Sequence, residues 1–235
     1  MRIAIAGSTG TVGRHVTAVA RERGHEVVGL SRASGVDLTD GGDRGRGLAT
    51  RLAGVDAVID VLGTPAQNRA AATAFFTGTT AALHEAERAA GVGHHVLLSI
   101  VGIEQVPTGY YRAKLAQEEA VTRGPVPWSL LRSAQFTEFA EQALGFVRVG
   151  RTALVPRMRI APVPARTVAA ALVDAVEAGP GGRLPDLVGP ARHDLVRLAR
   201  AEAAVHDPRL RVIGVRMPGR AGRAMRSGAL CGDAG

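Results

Sequence analysis

The sequence of 235 residues has little of what several protein classes require. Its one cysteine, Cys231, excludes an intrachain disulfide and most cysteine-based metal sites. No apolar run approaches the roughly 18 residues of a membrane-spanning helix. The chain reaches Gly7 too early for the apolar stretch of a secretory signal peptide, and no cleavage pattern follows. We therefore expect a cytoplasmic protein with no membrane partner.

Aromatic residues are scarce, and the basic residues are almost all of one kind. The eight aromatic side chains offer little material for stacking nucleic-acid bases. The formal net charge is +8, yet the cations are 28 arginines and a single lysine, Lys114. Abundant Ala, Gly and Arg together are typical of a GC-rich genome. We attribute the charge mainly to that bias, with an anionic cofactor contributing, and predict no nucleic-acid partner.

The sequence does contain a regular alternation of strand-like and helical segments. Hydrophobic residues make up 46% of the chain, enough for a substantial core. The alternation favours right-handed β-α-β crossovers and an α/β fold with a doubly wound parallel sheet. After Gly150 the predicted elements become shorter and richer in Pro. We predict a main domain over residues 1–145 and a smaller lobe over residues 146–235, with a soft boundary.

Three glycines, Gly7, Gly10 and Gly13, lie between the first predicted strand and the first predicted helix. Gly7 permits a tight turn, Gly10 lets backbone N–H groups approach a pyrophosphate, and Gly13 lets the helix pack on the sheet. The helix N-terminus then favours the anion. A plain tight turn is the alternative, but a strand before and a helix after favour dinucleotide binding. Further predicted contacts in this turn are Thr9, Thr11 and Val12.

The end of the second predicted strand decides between NAD and NADP. An acidic residue there would bind the ribose hydroxyls of NAD, whereas this chain has Ser31 and Arg32. Ser31 can donate to a phosphate oxygen, and Arg32 can pair with the phosphate through two parallel hydrogen bonds. We therefore predict NADP(H), with NAD(H) less favoured. Other predicted cofactor contacts are Asp37 and Leu38 near the adenine, and Leu62 and Gly63 near the adenosine ribose.

Both tyrosines and the only lysine lie in one short stretch, Tyr110-Tyr111-Arg112-Ala113-Lys114. Tyr110 and Lys114 are four positions apart and share one face of a predicted helix. A compact ammonium reaches ribose hydroxyls better than a guanidinium does. Acid–base work by Tyr110 near pH 7 needs a lowered pKa, which a nearby cation and a positive nicotinamide ring can produce. Taken alone, the pair is also typical of an amphipathic surface helix.

Together these motifs resemble the short-chain dehydrogenase/reductase superfamily, which has a Rossmann fold, and are most similar to its atypical NmrA-like branch. The resemblance covers residues 1 to about 140 well and continues loosely beyond. It implies that Ser99 binds the substrate carbonyl, that Tyr110 is the acid–base and that Lys114 holds the nicotinamide ribose. It also implies that the smaller lobe binds substrate. The segment implied to line the nicotinamide and substrate side contains Ser133, Gln135 and Phe136.

The resemblance implies an NADP(H)-dependent oxidoreductase that moves hydride to or from a carbonyl or alcohol of a small molecule. The sequence departs from the family pattern at three points. Ser99 precedes Tyr110 by only 11 residues, Asn68 has no assigned place in a proton relay, and Tyr111 can compete with Tyr110. The alternatives are a non-catalytic NADP-sensing regulator and an epimerase or dehydratase on the same scaffold. Substrate and oligomeric state are not predicted.

No metal site is expected from the sequence. His94 and His95 are adjacent in a predicted strand, so their side chains point to opposite faces and cannot readily chelate one ion. Glu118 and Glu119 are expected to be solvated. Cys231 is expected in a frayed polar tail. Residues 224–235 show no closing element, which predicts either truncation or fraying of the chain there.

Overall fold

The computed structural model describes residues 1–39 and 46–232, which form two compact units. Each unit is assembled from three separate segments of the chain. The first comprises Met1–Ser99, Gly109–Arg132 and Ala165–Pro185, and the second comprises Ile100–Thr108, Ser133–Pro164 and the segment from Asp186 onward. The assignment of residues 146–235 to a substrate-binding lobe stays a prediction.

A six-stranded parallel sheet forms the centre of the first unit, with the strand order β2-β1-β3-β4-β5-β9. Apolar residues on both faces of β1 are buried, as expected for a sheet covered on two sides. The predicted α/β class with a doubly wound parallel sheet is confirmed. Numbered in chain order, the strands are β1 Arg2–Ala6, β2 Glu26–Leu30, β3 Ala57–Asp60, β4 His94–Ile100, β5 Trp128–Ser133 and β9 Gly182–Arg183.

Five α-helices are described in the first unit. The helices α1 and α6 pack on one another, as do α3 and α4. Among the described residues, no helix has the length and apolar character needed to cross a membrane. The helices are α1 Gly13–Glu22, α2 Arg46–Arg51, α3 Arg69–Ala90, α4 Gly109–Thr122 and α6 Ala165–Ala178.

The second unit combines two small sheets with three α-helices in its described part. One sheet has the order β11-β7-β6, and the other pairs β8 with β10 in antiparallel fashion. Helix α5 packs on α7, and both contact β7. The elements are α5 Phe139–Phe146, β6 Arg148–Val149, β7 Thr152–Pro156, β8 Arg159–Ile160, β10 His193–Asp194, α7 Leu195–His206, β11 Arg211–Val215 and α8 Gly219–Ser227.

The C-terminal segment is folded through residue 232, so the expectation of a frayed tail is wrong. Helix α8 is followed by a 3-10 helix over Ala229–Cys231, in which Leu230 and Cys231 are fully buried. A Cβ on Gly102 would overlap the carbonyl oxygen of Ala229, which shows how closely the segment packs. Burial raises the pKa of the Cys231 thiol. The Gly- and Arg-rich sequence does not predict this helix, because few apolar residues lie on its buried face.

Candidate functional site

The glycine turn lies where the strand order of the first unit reverses. Strand β2 lies on one side of β1, and β3 to β5 follow on the other. In open parallel sheets, ligands bind beyond the carboxyl ends of the strands at such a switch point. The turn that leaves β1 is therefore at the position where a nucleotide is expected.

Within this turn, backbone packs on backbone. Gly7 has a φ of +87°, which favours glycine, and the N–H of Gly10 donates to the Gly7 carbonyl over 2.9 Å. A Cβ on Gly13 would overlap the Gly7 oxygen and lie 2.8 Å from its carbonyl carbon. Helix α1 has no side-chain cap at its start. A close backbone and an uncapped helix start fit a dinucleotide pyrophosphate.

The side chains along the turn differ in accessibility. Thr9 and Gly10 are exposed, and Thr11 is half-buried. Val12 is buried, so it can offer a ligand only its backbone.

Ser31 and Arg32, predicted to select the cofactor, lie directly after β2. Ser31 and Ser34 cap a 3-10 helix reciprocally: the Ser31 N–H donates to Ser34 Oγ over 2.9 Å, and the Ser34 N–H donates to Ser31 Oγ over 3.3 Å. Ser31 therefore already stabilises the start of this 3-10 helix through its side chain. Arg32 is exposed, with its side chain open to an anion.

The other residues predicted to contact the cofactor lie in different environments. Asp37 Oδ1 accepts hydrogen bonds from the N–H and the hydroxyl of Thr39. Leu38 is buried in the hydrophobic core, and Leu62 is half-buried against the same core. Gly63 is exposed.

Helix α4 holds Lys114 against the strand that carries Ser99. The Lys114 ammonium is buried, and its Nζ donates to the Leu98 carbonyl over 2.8 Å and to Gln117 Oε1 over 2.7 Å. Leu98 immediately precedes Ser99 on β4. The structure thus brings Lys114 to the backbone beside the predicted catalytic serine.

A buried network behind Lys114 has no counterpart among the predictions. Gln117 Nε2 donates over 2.9 Å to Asp60 Oδ2, and Asp60 is fully buried at the end of β3. Burial lowers the pKa of Lys114 to about 8, against the opposing influence of Asp60 and Glu118. Two signals for the network exist in the sequence. Asp60 interrupts an apolar run, and Gln117 shares a helix face with Lys114.

The two tyrosines are packed against aromatic neighbours. The Tyr110 ring meets Phe76 edge to face at 5.5 Å and Tyr111 at 6.0 Å between ring centres. Burial raises the pKa of both tyrosines. This direction is opposite to the lowered pKa expected for Tyr110, because burial desolvates the phenol. At pH 7 the Tyr110 phenol keeps its proton.

Ser99 and Asn68 have contrasting environments. Ser99 Oγ is buried and has no hydrogen-bond partner among the described residues. Because an unpaired buried hydroxyl costs about 1–3 kcal/mol, a ligand oxygen that pairs with it would relieve that cost. The Asn68 side chain instead accepts from the N–H groups of Ala70 and Ala71 and caps α3.

Glu118 is buried, so the expectation that it is solvated is wrong. It forms a two-point ion pair with Arg132 on β5, with Nε–Oε1 and Nη2–Oε2 distances of 2.8 and 2.6 Å. Glu119 is exposed, as expected, and pairs with Arg123. The Glu118–Arg132 pair ties α4 to the sheet.

In the second unit, an extended segment begins at Ser133, the last residue of β5. The Ser133 hydroxyl donates to the Ala134 carbonyl, and Phe136 bridges to Val163. Gln135 Oε1 is buried and has no partner within the described part of the chain. A substrate-lining role for Ser133, Gln135 and Phe136 stays a prediction.

Comparison with known proteins bears on this site. Residues 7–178, most of the chain, match the sequence profile of the NAD(P)H-binding family. Among curated proteins, none matches the sequence significantly.

Solved structures with a similar fold are numerous. A short-chain dehydrogenase/reductase superfamily protein from Agrobacterium tumefaciens with bound NAD has a TM-score of 0.66 and 23% identity, over 93% of this chain and 86% of that one. An NADPH-dependent quinone oxidoreductase from Escherichia coli, complexed with NADPH, has a TM-score of 0.65 and 20% identity, over 92% and 78%. A UDP-N-acetylglucosamine 4-epimerase from Bacillus cereus has a TM-score of 0.64 and 17% identity, over 95% and 88%.

At these identities the structural likeness establishes the fold, and the sequence match establishes the family. The chain belongs to the NAD(P)H-binding family, and it has the Rossmann-type fold that these solved structures share.

Proposed function

We propose that the protein is an NADP(H)-dependent oxidoreductase that transfers hydride to or from a carbonyl or alcohol of a small organic molecule. The observation that carries this proposal lies at the end of β4. There Ser99 presents a buried hydroxyl with no partner among the described residues, and the adjacent Leu98 carbonyl accepts Lys114. Tyr110 precedes Lys114 by one helical turn. Such a set of groups suits the polarisation and protonation of a substrate oxygen.

Family membership supports a nicotinamide cofactor. The turn of Gly7, Gly10 and Gly13 would hold its pyrophosphate, and Lys114 would bind the nicotinamide ribose. Arg32, exposed after β2, would pair with a 2′-phosphate, which favours NADP(H) over NAD(H). When bound, this cofactor supplies or accepts the hydride.

Each catalytic residue then has one task. Ser99 donates a hydrogen bond to the substrate oxygen. Tyr110 gives its phenolic proton to that oxygen while the carbonyl carbon gains hydride, so that a carbonyl becomes an alcohol. The raised pKa of Tyr110 keeps the proton available for this donation. In the oxidation direction the steps reverse, and the Tyr110 phenolate takes the proton from the alcohol while hydride leaves the carbon.

Cofactor choice is tested by calorimetric titration of the wild type and Arg32→Glu with NADPH and with NADH. We expect the wild type to bind NADPH at least about tenfold more tightly than NADH, a difference of about 1.4 kcal/mol. Arg32→Glu should lose that preference while still binding NADH. Equal affinities in the wild type would contradict the NADP assignment, and no binding of either cofactor would overturn the enzymatic proposal.

Catalysis is tested with Tyr110→Phe and, as a matched control, Tyr111→Phe. A panel of carbonyl compounds is screened for oxidation of NADPH. Tyr110→Phe should lower turnover by about 10²–10⁴-fold with NADPH affinity retained, whereas Tyr111→Phe should keep its turnover. The reverse pattern would assign the acid–base to Tyr111. NADPH binding without turnover of any compound would favour the regulator instead.

A further inference from the structure

Three buried side chains that the proposed reaction does not use meet between α3 and β4. His84 and Glu87 are three positions apart on α3 and therefore share a helix face, and His95 lies on β4. One potential ligand atom from each residue lies within 4.8 Å of those of the other two. Glu87 and His95 are fully buried, and His84 is 8% exposed.

The hydrogen bonds of the structure leave this cluster incomplete. His95 Nδ1 donates to Glu87 Oε1 over 2.7 Å, and the His84 and His95 rings meet edge to face at 5.1 Å. Among the described residues, His84 Nε2, His95 Nε2 and Glu87 Oε2 have no hydrogen-bond partner. Buried polar atoms are nearly always paired, and leaving one unpaired costs about 1–3 kcal/mol. A buried ion pair alone explains one hydrogen bond but not three unpaired atoms.

The local arrangement also suits ligation. The ring nitrogen His95 Nδ1 and the carboxylate oxygen Glu87 Oε1 lie 2.7 Å apart, close enough for both to contact one ion. The His84 ring packs against Gly124, where a Cβ would overlap it, so its orientation is held in place. The buried carboxylate of Asp60 interacts electrostatically with both histidines and adds negative charge nearby.

We propose that His84, Glu87 and His95 bind a divalent transition-metal ion. Two imidazole nitrogens and one carboxylate oxygen are donors that suit Zn²⁺. Three protein ligands leave one position of a tetrahedral ion for a small exogenous ligand such as water.

This proposal replaces the expectation that no metal is bound. That expectation was based on His94 and His95, whose side chains point to opposite faces of the strand. In the structure these two side chains contact different partners. His94 Nε2 contacts Ser129 Oγ at 2.9 Å, whereas His95 contacts Glu87. His84 lies 11 residues before His95, and that spacing matches no common ligand pattern.

The test uses the full-length protein after treatment with a chelator, with ZnCl₂ and CoCl₂ as probes. Calorimetry should show one equivalent of Zn²⁺ bound, and Co²⁺ should give visible absorption bands of a low-coordinate nitrogen and oxygen site. His84→Gln and Glu87→Gln should each weaken Zn²⁺ binding by more than the ~10–100-fold that loss of an outer-shell partner causes. His94→Gln removes an equally buried imidazole from the adjacent position and should leave the Zn²⁺ affinity unchanged.

A second readout does not depend on variants that fold poorly. Zn²⁺ should raise the Tm of the wild type and slow amide hydrogen exchange in the segments around His84 and His95, because the ion binds only the folded state. No stoichiometric Zn²⁺ binding would overturn the proposal. Equal loss of binding in His94→Gln, or protection elsewhere in the chain, would also overturn it. The cluster would then be a buried hydrogen-bonded pair without a metal function.

Discussion

The glycine turn after β1 and helix α4 serve one proposed site by opposite means. In the turn the geometry depends on missing side chains, because a Cβ on Gly13 would overlap the Gly7 carbonyl oxygen. On α4 the active groups are long side chains positioned by buried partners, as Leu98 and Gln117 position Lys114. A site made of backbone fails when an atom is added. A site made of side chains fails when a partner is removed.

The largest effect is expected from adding one methyl group to the turn. In Gly13→Ala the new Cβ meets backbone atoms that cannot move independently, so we expect a loss of about 3 kcal/mol or more in the free energy of unfolding. Binding of NADPH should be lost as well. Urea unfolding and calorimetry measure the two effects.

Gly78→Ala is the matched control for this substitution. Gly78 lies within α3 and has nothing within 4 Å of the added Cβ. Because Ala favours helix over Gly, the control should stabilise the protein by about 0.5–1 kcal/mol. If Gly13→Ala were as harmless as this control, the close packing of α1 on the turn would be contradicted.

On α4, the burial of Lys114 should make the free energy of unfolding depend on pH. Its pKa is about 8 in the folded protein and about 10.4 in an unfolded chain. Below pH 8 both states are protonated, and the cost of burying the ammonium is fully present. Between pH 8 and about 10.4 the unfolded chain binds more protons, so the free energy of unfolding of the wild type should rise with pH relative to Lys114→Met. The expected rise is about 3 kcal/mol.

Urea unfolding of both proteins across this pH range measures the difference. Lys114 is the only lysine in the chain, so no other lysine contributes. A difference that is flat from pH 7 to 10.5 would show that the ammonium is not desolvated.

The smallest effect in this series compares the adjacent residues Glu118 and Glu119. Glu118→Gln breaks a pair with Arg132 whose side chains are only 11–15% exposed. We expect a loss of about 2 kcal/mol in the free energy of unfolding, between the values for exposed and fully buried pairs. Glu119→Gln breaks an exposed pair on the same helix and should cost less than about 0.5 kcal/mol. Equal losses in urea unfolding at pH 7 would contradict the burial of Glu118.

The sequence predicts the parts of this fold that depend on local chemistry. The turn of Gly7, Gly10 and Gly13 is recognisable because its function depends on glycine at fixed intervals between a strand and a helix. Tyr110 and Lys114 are recognisable because helical geometry alone puts them on one face.

Contacts between distant segments left no sequence signal that identifies both partners. Glu118 and Arg132 are 14 residues apart in the sequence, and Asp60 and Gln117 are 57 apart. At such separations many other arginines or polar residues could have been the partner. The wrong expectation for Cys231 has a related cause. Its burial depends on packing of the C-terminal segment on residues such as Gly102, which no local pattern reveals.

The single cysteine also gives the protein a natural reporter. Cys231 is buried in the second unit, so a thiol-reactive dye can label it only after that unit opens. The chain's one tryptophan, Trp128, packs in the first unit against the cluster of Leu97, Val121 and Leu130. Labelling kinetics and tryptophan fluorescence therefore follow the two units separately in one unmodified sample.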